Sequence, residues 1–221
     1  LLNKIALKYG VPPQVIVALW GIETYYGKHT GKVPIIDALA TLAYDGRRSS
    51  YFRKELFNAL KIIDDGYVSY QQMKGSWAGA MGQVQFMPSS FLNFAVDGNA
   101  DGRIDLWHTP EDYLSSAANY LHQMGWDQKQ TWGGEVLLLK GFPSDLDGLE
   151  TGEPLSTWQK YVVRGVKGQD LPPDRVRASL IRPEGANGPA FLVYDNYRAL
   201  LKWNRSHSFA IAVGKLAELI G

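Results

Sequence analysis

The chain has 221 residues, 45% of them hydrophobic and 20% charged, with a formal net charge of +1 and no cysteine. That length supports a sizeable core, arranged as one main domain with a subdomain. The near-neutral charge excludes the cationic excess that nucleic acid or an anionic bilayer would draw on, and the lack of cysteine excludes disulfides and thiol chemistry.

From the N-terminus the text reads as helices: a short one before Gly10, one opened by Pro12-Pro13, one over 36–44 and a longer one over 50–64. The chain starts at Leu1 without an initiator Met, as expected of a processed or truncated chain whose targeting segment has been removed. Its longest apolar run, residues 15–21, falls far short of the roughly 20 residues needed to cross a bilayer. In the second helix Ile16, Leu19 and Trp20 mark an apolar stripe, and Glu23 falls on the same side. Burial there disfavours a charged carboxylate, which suits a general acid that must hold its proton near neutral pH. Spacing alone leaves a second reading open, in which Glu23 sits at a frayed helix end and reaches water or Lys28.

Residues 74–91, KGSWAGAMGQVQFMPSSF, are rich in small residues before Pro88 opens another helix toward Val96. Gly75, Gly79 and Gly82 expose backbone, while Ser76, Gln83 and Gln85 offer neutral hydrogen bonds, a composition suited to sugar binding. Tight helix packing accounts for the glycines equally well. Residues 97–105 match the opening of an EF-hand calcium loop: Asp97, Asn99 and Asp101 at the first, third and fifth positions, Gly102 at the sixth, Arg103 at the seventh and apolar Ile104 at the eighth. Position twelve is His108, a poor ligand for a hard cation, so Glu111 or Asp112 would have to close a longer loop. Asp112 also falls three residues after Thr109, the expected N-cap of a helix running to Met124, and so competes for a capping-box role. A metal-free loop of Asx turns is the alternative. His29, His122 and His207 lack metal-like spacing, and no zinc site is expected.

Beyond residue 131 the period changes. Runs over 136–139, 161–166, 176–181 and 191–194 read as strands between Gly, Pro and Asp clusters, and 197–220 returns to helix with Ser206 as N-cap. The expected fold class is therefore mainly α (α+β). A helical core over 1–130, including an EF-hand-like loop at 97–112, is interrupted by a small β-rich subdomain over 131–194, and helices over 195–221 return to the core.

Three segments, GIETYYG around Glu23, KGSWAGAMGQVQFMPSSF, and KWNRSHSF over 202–209, together resemble the membrane-bound lytic transglycosylase B family of murein-degrading enzymes. The similarity covers 10–126 and 196–217. It implies a lysozyme-like core, peptidoglycan glycan strands as the partner, and cleavage between N-acetylmuramic acid and N-acetylglucosamine to a 1,6-anhydromuramoyl product. Glu23 matches the family's catalytic acid. Ser76 and Gln85 match groove positions, Arg47 and Arg48 a basic pair contacting peptidoglycan, and Asn204 a polar groove residue. Trp203 and Phe209 stand where an aromatic hydroxyl is common, and Gln83 where the family often has an aromatic or apolar residue. Trp203 and Gln83 are counted with the substrate-binding set. The resemblance favours Asp112 as the closing ligand, with calcium structural and no cofactor needed for catalysis. It also implies a periplasmic monomer, anchored to the outer membrane in full-length form; partners among cell-wall synthesis or division proteins are not legible.

Ordinary glycosidases use two carboxylates, yet Asp37 reads as a helix-start acid and Asp45 as a turn residue. One acid suffices if the substrate's own 2-acetamido group stabilises the developing cation and its 6-hydroxyl closes the ring. A hydrolytic muramidase and a non-catalytic peptidoglycan-binding module are the competing expectations.

Overall fold

The computed structural model describes residues 1–173 and 176–221 and divides into two compact units, 1–123 with 216–221, and 124–215. In the first unit, proline sets the helix starts. Pro13 occupies the first turn of α2 (Pro13–Thr24), after α1 (Leu2–Tyr9) stops at left-handed Gly10, whose N–H caps the Ala6 carbonyl. Proline fixes φ near the helical value and lacks the N–H that a first turn leaves unpaired.

Strand β1 (Val33–Pro34) leads into α3 (Ile35–Tyr44), then α4 (Ser49–Asp64) and β2 (Lys74–Gly75), which pairs antiparallel with β1. Helix α5 (Pro88–Phe94) ends where Ala95 turns extended, two residues before the expected Val96; Asn119 donates to the Phe94 carbonyl there. Helix α6 (Pro110–Gln123) follows. Ile16, Leu19, Ile35, Leu39, Ile62 and Leu121 are fully buried in this unit. Removing each such side chain from water contributes about 1.5–3 kcal/mol.

The second unit holds, among the described residues, a five-stranded antiparallel sheet in the order β4-β6-β7-β3-β5. Its strands are β3 (Gly133–Leu138), β4 (Gly152–Pro154), β5 (Val163–Gly165), β6 (Arg177–Ile181) and β7 (Ala190–Val193), with α7 (Leu155–Lys160) between β4 and β5. A separate core of Trp158, Leu155, Val163, Leu180 and Leu192 packs beneath it. The four expected runs all contain strands. Strand β5 is shorter than the run 161–166 because Val162 takes a positive φ of 57° that breaks the extended backbone. Strand β4 and helix α7 escaped the sequence pattern, since Gly152 and Pro154 carry no strand propensity and β4 is specified by its pairing with β6.

Helices α8 (Asp195–Trp203) and α9 (His207–Ile220) close the chain. The expected division gave all of 195–221 to the helical core, whereas 195–215 belongs to the compact unit of the sheet. Buried Asn196 explains this for α8. Its carboxamide accepts from Asp127 N at 2.7 Å and donates to the Asp127 and Gln130 carbonyls at 2.9 and 2.8 Å, tying the helix to the segment that enters β3. Ser206 caps α9 as expected, its hydroxyl accepting from Phe209 N at 3.3 Å. No single helix among the described residues is long and apolar enough to cross a membrane.

Candidate active site

Glu23 lies in the last turn of α2, half-buried, one turn beyond the fully buried Leu19. Its helix ends abruptly, because Tyr25, Tyr26 and Gly27 all adopt left-handed φ values of 51°, 57° and 83°. Two consecutive tyrosines in that region are costly and need support from their surroundings. Thr24, 1% exposed, supplies part of it: its hydroxyl accepts from Gly27 N at 3.0 Å and donates to the Gln83 carbonyl at 2.8 Å. Trp20, three residues before the acid, stands edge-on to Tyr26 and tilted against Tyr113, each with ring centroids 5.5 Å apart. The Lys28 ammonium lies 4.5 Å over the Tyr25 ring.

The small-residue segment folds back on itself after β2. Gly75 bridges Met81, and Met81 bridges Phe86. Its glycines are required by close backbone approach: a Cβ on Gly75 would lie 2.0 Å from the Ala80 carbonyl oxygen, and one on Gly31 would lie 2.0 Å from that of Gly75. Close packing therefore accounts for the glycines, and the same loop carries polar side chains. Ser76 Oγ accepts from Ala80 N at 3.0 Å. Gln85, at φ 51°, donates from Nε2 to the Gly82 and Thr30 carbonyls at 2.9 and 3.1 Å, leaving Oε1 as its unengaged acceptor among the described residues. Gln83 is more fully engaged. Its Oε1 accepts from Trp20 Nε1 at 2.8 Å and its Nε2 donates to the Trp107 carbonyl at 3.0 Å. Its backbone N–H donates to the Leu106 carbonyl at 2.8 Å. Trp77 is 72% exposed on the same loop.

Arg47 and Arg48 form the turn before α4. Arg47 is exposed and bonded through Nε to Asp45 Oδ2 at 2.9 Å, a contact that raises its guanidinium pKa above the usual value. Arg48 takes a left-handed φ of 57° and stacks its guanidinium 4.5 Å from the Tyr51 ring centroid. Asn204 and Trp203 lie in the other compact unit at the end of α8, where exposed Asn204 caps the helix and accepts through Oδ1 from Ser206 N at 3.1 Å. Phe209 is in the first turn of α9.

Glu55 is a buried acid outside the expected set. It is 3% exposed on α4, and both its oxygens are engaged by Ser89: Oε2 accepts from Ser89 N at 2.8 Å and Oε1 from the hydroxyl at 2.6 Å. The signal was present, because Glu55 stands four and seven residues before buried Ala59 and Ile62. Asp37 and Asp45 match their expected roles, Asp37 in the first turn of α3 and Asp45 in the turn after it, bonded to Arg47.

Side-chain oxygens in the loop at 97–105 turn onto the loop's own amides. Asp97 accepts from Asp101 N and Gly102 N, Asn99 from Asp101 N, and Asp101 from Arg103 N, all within 2.8–3.2 Å. The capping-box role expected for Asp112 is corrected. Its carboxylate, 1% exposed, reaches back to Gly98 N at 2.8 Å and Asp105 N at 2.7 Å, while the Asp112 N–H donates to the Thr109 carbonyl. Burial raises the Asp112 pKa, its two backbone bonds oppose that, and the charges of Asp97 and Asp101 add to the rise. Among the described residues no three acidic or imidazole side chains converge closely enough to hold a metal.

Comparison with known proteins places these features in a family. The family model described as "Transglycosylase SLT domain" matches residues 1–218. The chain is 36% identical to membrane-bound lytic murein transglycosylase B of Escherichia coli K12, across 99% of this chain and 60% of that protein. It superposes with a TM-score of 0.95 and 47% identity on SltB3 of Pseudomonas aeruginosa, solved with NAG-anhNAM-pentapeptide, covering 99% of this chain and 59% of SltB3. Slt35 of E. coli, solved in complex with calcium, superposes at 0.85 and 35% identity, covering 99% and 69%. The chain thus spans about 60% of the curated relative's length. With a mixed α and β fold that follows these structures along its whole length, the chain belongs to the transglycosylase SLT domain family.

Proposed function

We propose that the chain carries the catalytic centre of a peptidoglycan lytic transglycosylase, with Glu23 as its single acid and base. The observation that supports this best is a half-buried carboxylate at the left-handed end of α2, three residues after Trp20, in a chain matched to the family from residue 1 to 218. Glu23 protonates the glycosidic oxygen between N-acetylmuramic acid and N-acetylglucosamine as the bond to carbon 1 breaks. The substrate's 2-acetamido oxygen stabilises the cationic carbon, and its 6-hydroxyl then attacks while Glu23 takes back the proton. No water is consumed, so the product ends in 1,6-anhydromuramic acid. Exclusion of water favours ring closure over hydrolysis. Glu55 is not needed as a second carboxylate, because Ser89 engages both its oxygens.

Ser76 and Gln85 present neutral hydrogen-bonding groups to the glycan, and Arg47 and Arg48 meet the anionic groups of peptidoglycan. The chain acts in the periplasm at a membrane, a reading supported by the membrane-bound name of the E. coli relative. Mass spectrometry of digested peptidoglycan decides the reaction: anhydro products are expected, and products heavier by one water make the enzyme a hydrolytic muramidase. Glu23→Gln is expected to abolish turnover and retain glycan binding; residual turnover removes Glu23 from its role.

The loop at 97–112 suits a structural calcium ion in its chemistry, with hard oxygens from Asp97, Asn99, Asp101 and Asp112 and the carbonyl of Arg103 as ligands. The ion would offset the charge that Asp97 and Asp101 impose on Asp112. Binding requires the loop to draw these oxygens together. The Slt35 structure with calcium supports the assignment. Thermal melts with calcium and with a chelator test it. At about 100 times the dissociation constant the stabilisation is ~2.7 kcal/mol, and equal midpoints leave the loop metal-free.

A further inference from the structure

We infer that Gln83 is a positioning residue for the acid, acting through Trp20 and Thr24 instead of touching the glycan. Trp20 precedes Glu23 by three residues on the same helical face, and Thr24 follows it directly. Both are bonded to Gln83, Trp20 through the carboxamide oxygen at 2.8 Å and Thr24 through the backbone carbonyl at 2.8 Å. Two fixed points on either side of Glu23 set the rotation of the last turn of α2, and with it the direction of the carboxylate.

Gln83 is itself held from the opposite side by the Leu106 and Trp107 carbonyls. The arrangement is built around it: a Cβ on Gly27, at φ 83°, would lie 2.3 Å from Gln83 Oε1, so the turn after the acid leaves room for this carboxamide. The left-handed run at 25–27 gives the bonds their purpose, because two non-glycine residues in that conformation persist only where neighbours hold them. A neutral amide does this without bringing a charge beside the acid. Its oxygen and one amide hydrogen are already engaged, which leaves one hydrogen for any direct contact with sugar.

The inference rests on Glu23 being the reacting acid. Gln83→Leu keeps the bulk of the side chain and removes its bonds to Trp20 and to the Trp107 carbonyl, while the backbone bond from Thr24 remains. On soluble glycan oligomers, kcat is expected to fall ~10–100-fold, as a small misplacement of a catalytic group does, with KM within about twofold. Gln83→Glu keeps an acceptor for Trp20 and is expected to retain more kcat than the leucine variant. The Trp20 indole N–H resonance, identified with Trp20→Phe, is expected to shift in Gln83→Leu.

A raised KM with kcat unchanged makes Gln83 a direct glycan contact and overturns the inference. Unchanged kcat, an unmoved Trp20 resonance, or a loss that only follows the unfolded fraction overturns it as well; should Gln83→Leu not fold, native kcat in Gln83→Met, which also lacks the carboxamide, does the same. Glu23→Gln in the otherwise native chain separates the two failures, since residual turnover there removes the acid and not its support.

Discussion

Glu23 and Glu55 show what a single residue's spacing can and cannot say. Both sit on the apolar stripe of a helix, yet Glu55 is 3% exposed and bonded twice to Ser89, while Glu23 is half-buried at a helix end. The stripe finds buried acids; their partners decide what each does. Glu55→Leu leaves the Ser89 N–H and hydroxyl without an acceptor, and is expected to cost about 1–3 kcal/mol in denaturant unfolding, with kcat unchanged per folded molecule. Gly27→Ala meets both a positive φ of 83° and the Gln83 oxygen at 2.3 Å. It is expected to lower stability by about 1–3 kcal/mol and to reduce kcat as well, a combination that melting curves and initial rates report together.

At the scale of elements, the helix starts were legible because proline acts locally: α2, α5 and α6 all begin at a proline. The glycine-rich turn between β2 and α5 was legible as a place of close approach, but not its register, which depends on the bridges from Gly75 to Met81 and from Met81 to Phe86. Gly75→Ala puts a methyl against backbone at 2.0 Å, where no side chain can move aside. That variant is expected to lose more stability than Gly46→Ala, whose added Cβ meets nothing within 4 Å, although the alanine, unlike the native glycine, also meets the cost of a φ of 92°. Paired thermal melts give the comparison. Strand β4 and helix α7 were invisible to periodicity because they are short and owe their form to β6 and to the core around Trp158.

Across the whole molecule, burial pushes the phenols of Tyr51, Tyr113, Tyr120 and Tyr197 above their ordinary pKa. These groups stay protonated in the fold while the unfolded chain ionises near pH ~10. Stability from this source is therefore fully present below about pH 10 and lost as pH rises beyond it. Thermal midpoints measured from pH 8 upward are expected to fall beyond that point, and tyrosinate absorbance to develop at higher pH in folded than in denatured protein.

Local chemistry was enough for the sequence to determine the proline-led starts of α2, α5 and α6, the loop oxygens at 97, 99 and 101, and the candidacy of Glu23, because each depends on neighbours within a few residues. Tertiary structure decided what joins distant stretches. Trp20 and Gln83 are 63 residues apart and Glu55 and Ser89 are 34 apart, so no pattern along the chain links them. The same holds for Asp112, which left its expected cap for the amides of Gly98 and Asp105, and for α8, which Asn196 ties to residues 127–130. A buried polar group takes whichever partner the fold brings near, since leaving it unpaired costs more than a local motif returns.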